Sequence, residues 1–169
     1  MTGRSFWLRV LVSTAIALTL LLTLSPPQPN AQLPLPLALA IGLCGGIVLF
    51  VAATGRRPRL GRDPSPVPLL VARNGVLGLL AANEEIVWRR VLLGELLAGG
   101  AFAALAISAV AFSLVHRARR ALHLATGVAF GLVYLTTGAL AASIVAHWTY
   151  NALVAGWAGR SPHGPEADT

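Results

Sequence analysis

The sequence predicts an all-α membrane protein, a polytopic transmembrane helical bundle of about six spans. Hydrophobic residues make up 56% of the 169 residues and charged residues only 11%, whereas a soluble domain has about 45–50% and about 25%. The apolar residues form long runs without polar alternation, which favours helices over the strands of a membrane barrel. The single cysteine, Cys44, excludes an internal disulfide and a cysteine metal cluster.

Two apolar runs lie in the N-terminal part of the chain. Residues 6–24 have about the length that the hydrocarbon core requires, and no small-residue cleavage site follows them, so we expect a membrane anchor rather than a signal peptide. Residues 33–54 contain Gly42 and Gly46, a spacing that lets another helix approach closely.

The other four runs follow a loop rich in proline, glycine and arginine. They are 69–97, 100–116, 121–136 and 139–157. We predict a single membrane domain over 1–169, which consists of a two-span region (1–66), a catalytic four-span core (67–158) and a polar tail (159–169).

The arginines indicate the topology. The chain has thirteen cationic residues, all of them arginine, and they occur in short clusters between apolar runs, so we expect lipid contact and no nucleic acid. With six spans, eleven of the thirteen lie on the side of the two termini: Arg4, Arg9, Arg56, Arg57, Arg59, Arg62, Arg73, Arg117, Arg119, Arg120 and Arg160. This bias predicts cytoplasmic termini, in a bacterial inner membrane.

Charged residues within the third run need an explanation, because a charge at the bilayer centre costs about 2.5–3.5 kcal/mol on insertion scales. Glu84, Glu85, Arg89 and Arg90 lie there. Glu85 and Arg89 are four residues apart and can pair on one helix face, while Glu84 points about 100° away. A structural ion pair between helices explains these four charges equally well.

Three further polar residues lie on other runs. His147 and Asn151 share one face of the sixth run, and His116 ends the fourth. A carboxylate and a histidine can activate water, and a second histidine with an amide can stabilise an oxyanion. Counting along straight helices leaves His116 roughly 10 Å too shallow to meet Glu84, so we expect tilt, a bent third helix or a fourth helix that continues past His116.

A metal is the alternative to this arrangement. Two histidines and a glutamate could bind zinc, with Glu84, His116 and His147 as ligands. Their spacing is not that of an HExxH motif, so we expect no metal cofactor, with zinc as the alternative. We expect no function for His123 and His163, and a solvated side chain for Glu95.

These residues also form three motifs in order. Residues 84–89 (EEIVWR) fit EExxxR, residues 112–116 (FSLVH) fit FxxxH, and residues 147–151 (HWTYN) fit HxxxN. Over about residues 70–157 the chain resembles the CPBP family of intramembrane proteases, which includes type II CAAX prenyl endopeptidases and bacteriocin-processing relatives.

The resemblance implies a role for each motif residue. Glu84 would activate water with His116, His147 and Asn151 would form the oxyanion site, and Arg89 would hold Glu85. Trp88 stands where the family has phenylalanine and would keep an aromatic wall in the substrate groove, to which Phe112 would also contribute. Arg90 replaces the family's glycine and would alter that groove.

The function implied is an intramembrane endopeptidase. It would hydrolyse a peptide bond near the end of a membrane-anchored protein or peptide, by water that glutamate and histidine activate. Two alternatives remain: an inactive membrane scaffold or immunity protein of the same fold, and a proton-coupled transporter. The sequence shows no inverted repeat, which a transporter would favour.

Overall fold

Six long helices make up most of the chain in the computed structural model, which describes residues 3–58, 65–116 and 118–158. They are α1 (Gly3–Thr23), α2 (Leu35–Thr54), α3 (Val67–Glu85), α4 (Ala101–Val115), α5 (Arg120–Thr137) and α6 (Leu140–Ala158). Within those ranges there is no strand, so the all-α prediction is confirmed. Arg59, Arg62, Arg117, Arg160, His163 and the tail 159–169 lie outside the described residues.

Five of the six apolar runs correspond to these helices within a few residues, and the third continues beyond the end of α3. Helices α1 and α2 are long and apolar enough to cross a membrane, and α4 is a shorter apolar helix. Proline in the first turn begins α2 and α3, where its missing N–H costs no hydrogen bond. A crossing by each of the six helices is consistent with this architecture and stays a prediction.

Helices α2 and α6 pack against each other at very short range. A Cβ added to Gly42 would lie 2.3 Å from the Ala142 carbonyl oxygen, and one added to Gly46 would lie 2.5 Å from that of Ala146. Both glycines are buried. The predicted close approach at this glycine pair is therefore confirmed, and its partner is the helix that carries His147.

The third run is not one regular helix. Directly after Glu85 the chain continues as a π-helix over Ile86–Leu93, followed by an α-helical turn, Gly94–Leu96, and a 3-10 turn, Leu97–Gly99. The wider π turn changes the backbone hydrogen bonds of this segment, and the Trp88 carbonyl accepts a hydrogen bond from Ser108 Oγ at 2.8 Å. The expected irregularity of the third helix thus lies beside the two glutamates.

The α1–α2 loop packs on the end of the bundle away from the arginine-rich loops. Arg90 donates a hydrogen bond from Nη1 to the Pro26 carbonyl at 2.6 Å. The Leu33 amide donates to the Thr137 carbonyl at 3.0 Å. The guanidinium of Arg90 therefore holds this loop, and the change in the substrate groove that the resemblance implies stays a prediction.

Candidate active site

Glu85 is the centre of a buried polar network. Its carboxylate is fully buried and has three partners from two helices. Arg89 Nε lies 3.2 Å from Oε2, His147 Nδ1 lies 2.8 Å from Oε1, and the Ser143 hydroxyl donates to Oε2. A buried carboxylate needs such partners to remain ionised, so this geometry favours a charged Glu85.

Arg89 connects the network to α4 and α5. Its side chain is fully buried, and its Nη2 donates to the Gly127 carbonyl at 3.0 Å. Its guanidinium carbon lies 5.0 Å from the centroid of the Phe112 ring, within range of a cation–π contact. The pairing of Glu85 with Arg89 that the sequence predicted is confirmed as a structural contact.

His147 lies between the two glutamates. Because its Nδ1 faces the Glu85 carboxylate, that nitrogen carries a proton and donates it. Its Nε2 lies 3.9 Å from Oε2 of Glu84. The imidazole also stacks on Phe130, with ring centroids 4.5 Å apart. Glu85 and Phe130 thus hold the ring, and its second nitrogen lies on the side of Glu84.

Glu84 is the accessible carboxylate of the pair. Its side chain is 38% exposed, whereas that of Glu85 is fully buried. Glu84 lines a cavity of about 490 Å³, the α1–α3 cavity. The apolar lining of this cavity comes from Phe6, Val10, Ile16, Leu80, Val87 and Trp88. Glu84 therefore contacts the cavity, whereas Glu85 lies at the centre of the buried polar network.

The two aromatic residues expected in a substrate groove have different positions. Trp88 lines the α1–α3 cavity beside Glu84. Phe112 is 1% exposed and does not line this cavity, because its ring faces inward under the guanidinium of Arg89. The assignment of Phe112 to the substrate groove therefore stays a prediction, and in this structure its ring contacts Arg89.

His116 lies at the edge of the network. It follows the last residue of α4 in an extended conformation, so of the three alternatives that the sequence left open, a fourth helix that continues past His116 is excluded. Its Nδ1 is 2.8 Å from the Phe112 carbonyl, and among the described ion pairs, which have N···O distances of up to 4.0 Å, none joins His116 to Glu84. The Phe112 ring lies next to both histidines, with centroids 4.6 Å from His116 and 6.3 Å from His147.

Asn151 lies one turn beyond His147 on α6 and is half-buried. None of the hydrogen bonds within the described residues involves its amide. Because a half-buried amide without a protein partner keeps its hydrogen bonds for water or a ligand, Asn151 can donate to a bound group.

Two residues of this network are not predicted from the sequence. Ser143 is fully buried and lies one turn before His147, so the same helical spacing that links His147 to Asn151 indicates it. His123 stacks on His116 with centroids 4.0 Å apart and an interplanar angle of 19°. The sequence predicts no function for His123, yet its position makes it the nearest ring partner of a candidate site residue.

The described residues do not assemble a metal site. No group of three or more His, Cys, Asp or Glu side chains in these ranges lies close enough to hold an ion. Glu84 and His147 approach each other, but His116 does not join them. The side chains present therefore do not fit the zinc alternative, which needs three protein ligands.

Comparison with protein families connects this geometry to a known class of enzyme. The model of the family described as "Type II CAAX prenyl endopeptidase Rce1-like" matches residues 65–153, just over half of the chain. The chain belongs to this family. The matched segment contains the three motifs, from Glu84 to Asn151, and helices α3 to α6 carry it. Comparisons with curated proteins and with solved structures gave no match.

Membership of the Rce1-like family gives the coarse function. The family is one of membrane-embedded proteases, in agreement with the two apolar helices that precede the matched segment. This outcome confirms the resemblance that the three motifs predicted.

Proposed function

We propose that this Rce1-like protein is an intramembrane endopeptidase that uses Glu84 to activate water. One observation carries the proposal: Nε2 of His147 lies 3.9 Å from the exposed carboxylate of Glu84, while Glu85 holds the other ring nitrogen. A base that contacts a cavity and is aligned by a fixed second group is the arrangement that general acid–base hydrolysis requires.

In the proposed reaction, a water molecule in the α1–α3 cavity attacks the scissile carbonyl. Its proton moves to the Glu84 carboxylate, and Glu84 then protonates the amine that leaves. His147 in its doubly protonated form donates from Nδ1 to Glu85 and from Nε2 to the oxyanion, together with the Asn151 amide. Before the reaction, Glu85 and Glu84 balance the charges of Arg89 and His147. Once Glu84 has taken the proton of the water it is neutral, and the oxyanion becomes the counter-ion of His147 until Glu84 has given its proton to the leaving amine.

His116 keeps an assisting role in this proposal. Its Nδ1 is occupied by the Phe112 carbonyl, so Nε2 is its free ring nitrogen. Since Glu84 has an ion-pair contact with His147 and none with His116 among the described residues, we propose that His116 acts through bound water rather than by contact with Glu84.

The proposed substrate is a membrane-anchored protein or peptide that is cut near one end. Proteomics of the producing cells can test this while the substrate is still unidentified. New protein termini would be compared between cells with wild-type protein and cells with equal amounts of Glu84→Gln. Termini that appear only with the wild type support the proposal. Identical sets of termini would contradict it and favour an inactive scaffold.

We also propose that both termini face the cytoplasm of a bacterial inner membrane. The exposed arginines Arg4 and Arg120 lie in the first turn of a helix, and the exposed Arg56 and Arg119 lie next to a helix end. Cytoplasmic loops and the adjacent helix ends carry an excess of such residues. Reporter fusions after residues 60, 118 and 169 should all report a cytoplasmic position. A periplasmic signal after residue 118 would contradict the six-span topology.

A further inference from the structure

The α1–α3 cavity is large enough to hold part of a substrate. Its volume of about 490 Å³ lies within the range of about 300–1,000 Å³ typical of ligand pockets. Most of its lining is apolar, and the polar groups are Arg9, Ser13, Asn83 and Glu84. The proposed catalytic carboxylate thus belongs to the wall of this cavity.

Helix α1 forms one wall of the cavity and is lightly packed. It contacts α3 and the π-helix, and of its 21 residues only Val10 and Ala17 are buried. Its other face presents exposed apolar side chains, among them Leu11 and Leu18. In a membrane this face contacts lipid. Phe6 and Ile16 of the cavity lining are themselves partly exposed, so the cavity is open to the bilayer along α1.

A polar clasp holds α1 on α3 next to Glu84. The Asn83 side chain is 5% exposed, and its Nδ2 donates to Ser13 Oγ at 3.1 Å and to Thr14 Oγ1 at 2.8 Å. Both hydroxyls in turn donate to the Val10 carbonyl. These hydrogen bonds hold the wall of the cavity in place beside Glu84, although hydrogen bonds between helices in lipid are individually weak.

The charge in the cavity indicates the chemistry of its occupant. Arg9 lines the cavity one turn before Ser13 on α1, on the side of the N-terminus. Its guanidinium is complementary to a carboxylate, with which it forms a directed ion pair. An apolar segment that carries a carboxylate at its end would match both the lining and this charge.

We propose that the α1–α3 cavity binds an apolar segment of the substrate that reaches it from the bilayer, with a carboxylate of that segment against Arg9. The inference rests on the proposed protease function, since it places the scissile bond at Glu84. It goes further because it assigns α1, outside the family match, as part of the substrate site. The carboxylate is a chain terminus or an acidic side chain.

Cavity filling tests the site in cells. Leu80 lines the cavity, and its neighbour Leu79 is exposed and does not, so Leu80→Trp and Leu79→Trp form a matched pair. Leu80→Trp should lower the abundance of Glu84-dependent termini by about tenfold, since a filled pocket does not accept its ligand without strain, and Leu79→Trp should leave it unchanged. Unchanged termini with well-expressed Leu80→Trp would overturn the proposal.

Binding without cleavage tests the site independently of the reaction. The Glu84→Gln protein would carry the photoreactive residue benzoylphenylalanine at position 16, in the cavity lining, or at position 18, on the exposed face. The probe is a short biotinylated Leu/Ala peptide in phosphatidylcholine vesicles. Labelling at position 16 that exceeds labelling at 18 and falls with Leu80→Trp supports the site, even if no cleavage is found. Equal labelling at both positions overturns it.

The charge is tested with three forms of the probe: a free C-terminus, an amidated C-terminus, and an amidated peptide ending in Asp. Arg9→Gln should reduce labelling by the two carboxylate probes by about two- to fivefold, the range of a partly exposed ion pair, and Arg9→Lys should retain part of it. Arg4→Gln, on the same helix and not in the cavity lining, is the control. Equal labelling by all three probes would assign Arg9 to lipid phosphate and overturn the carboxylate assignment.

Discussion

Removal of Glu85 is expected to destabilise the protein more than removal of its partner Arg89. Both side chains are fully buried, with Nε and Oε2 3.2 Å apart. Glu85→Leu leaves the guanidinium with the Gly127 carbonyl and the Phe112 ring as its partners. A buried charge that loses its counter-ion costs about 3–5 kcal/mol, so we expect the free energy of unfolding to fall by that amount.

Removal of Arg89 instead of Glu85 leaves a buried carboxylate that still has hydrogen-bond donors. In Arg89→Met, Glu85 keeps the donors Ser143 and His147, and a hydrogen bond to a charged group contributes about 1.5–3 kcal/mol. We therefore expect Arg89→Met to cost about 2 kcal/mol less than Glu85→Leu. The double variant contains no unpaired guanidinium, so it should be at least about 2 kcal/mol more stable than the sum of the single changes predicts.

Reversible unfolding in mixed detergent micelles measures these differences, with increasing dodecyl sulfate and tryptophan fluorescence as the signal. Glu95→Gln is the matched control, because Glu95 is an exposed carboxylate in the segment that follows the π-helix, and it should change stability by less than about 0.5 kcal/mol. Additive effects of the two single changes, or a Glu85→Leu protein as stable as the wild type, would refute the reasoning.

Two further predictions concern packing and the histidine pair. Gly46→Ala should lower the unfolding free energy by about 1–3 kcal/mol through overpacking, because the new Cβ meets the Ala146 carbonyl. Gly75→Ala places its Cβ in open space and should raise the unfolding free energy by about 0.5–1 kcal/mol. Unfolding in detergent compares the two variants, and equal effects would contradict the packing account. His123→Ala should slow cleavage by less than about tenfold, since an aromatic contact contributes about 0.5–1.5 kcal/mol. His123→Phe keeps a ring against His116 and should restore the cleavage rate. A rate that stays low in His123→Phe would show that His123 has a role beyond stacking.

Short-range patterns in the sequence predicted much of this structure. Long apolar runs predicted the helices, because an apolar segment in lipid must form all its backbone hydrogen bonds within itself, and a helix does so. The i, i+4 spacing predicted the pair of Glu85 and Arg89. The glycine pair Gly42 and Gly46 predicted a close helix contact, although the identity of the partner, α6, depends on the tertiary arrangement.

Features that depend on packing between distant segments could not be predicted in this way. The π-helix after Glu85 is not indicated by local propensity, and its contacts, such as the hydrogen bond of Ser108 to the Trp88 carbonyl, come from a helix distant in sequence. The stack of His116 on His123 depends on how the chain reverses between α4 and α5. The inward position of Phe112 depends on the guanidinium that lies over its ring, which a motif does not show.

The central claim is that Glu84 acts as the base. The most direct test is the single-turnover cleavage rate of a membrane substrate, identified from the proteomic comparison, by purified wild-type and Glu84→Gln protein in proteoliposomes. The two proteins are compared at equal amounts of folded protein, which are determined by unfolding in detergent. The account predicts a rate about 10²–10⁴-fold lower for Glu84→Gln, the usual cost of losing a general base. A rate within about twofold of the wild type, with the variant fully folded, would contradict the account.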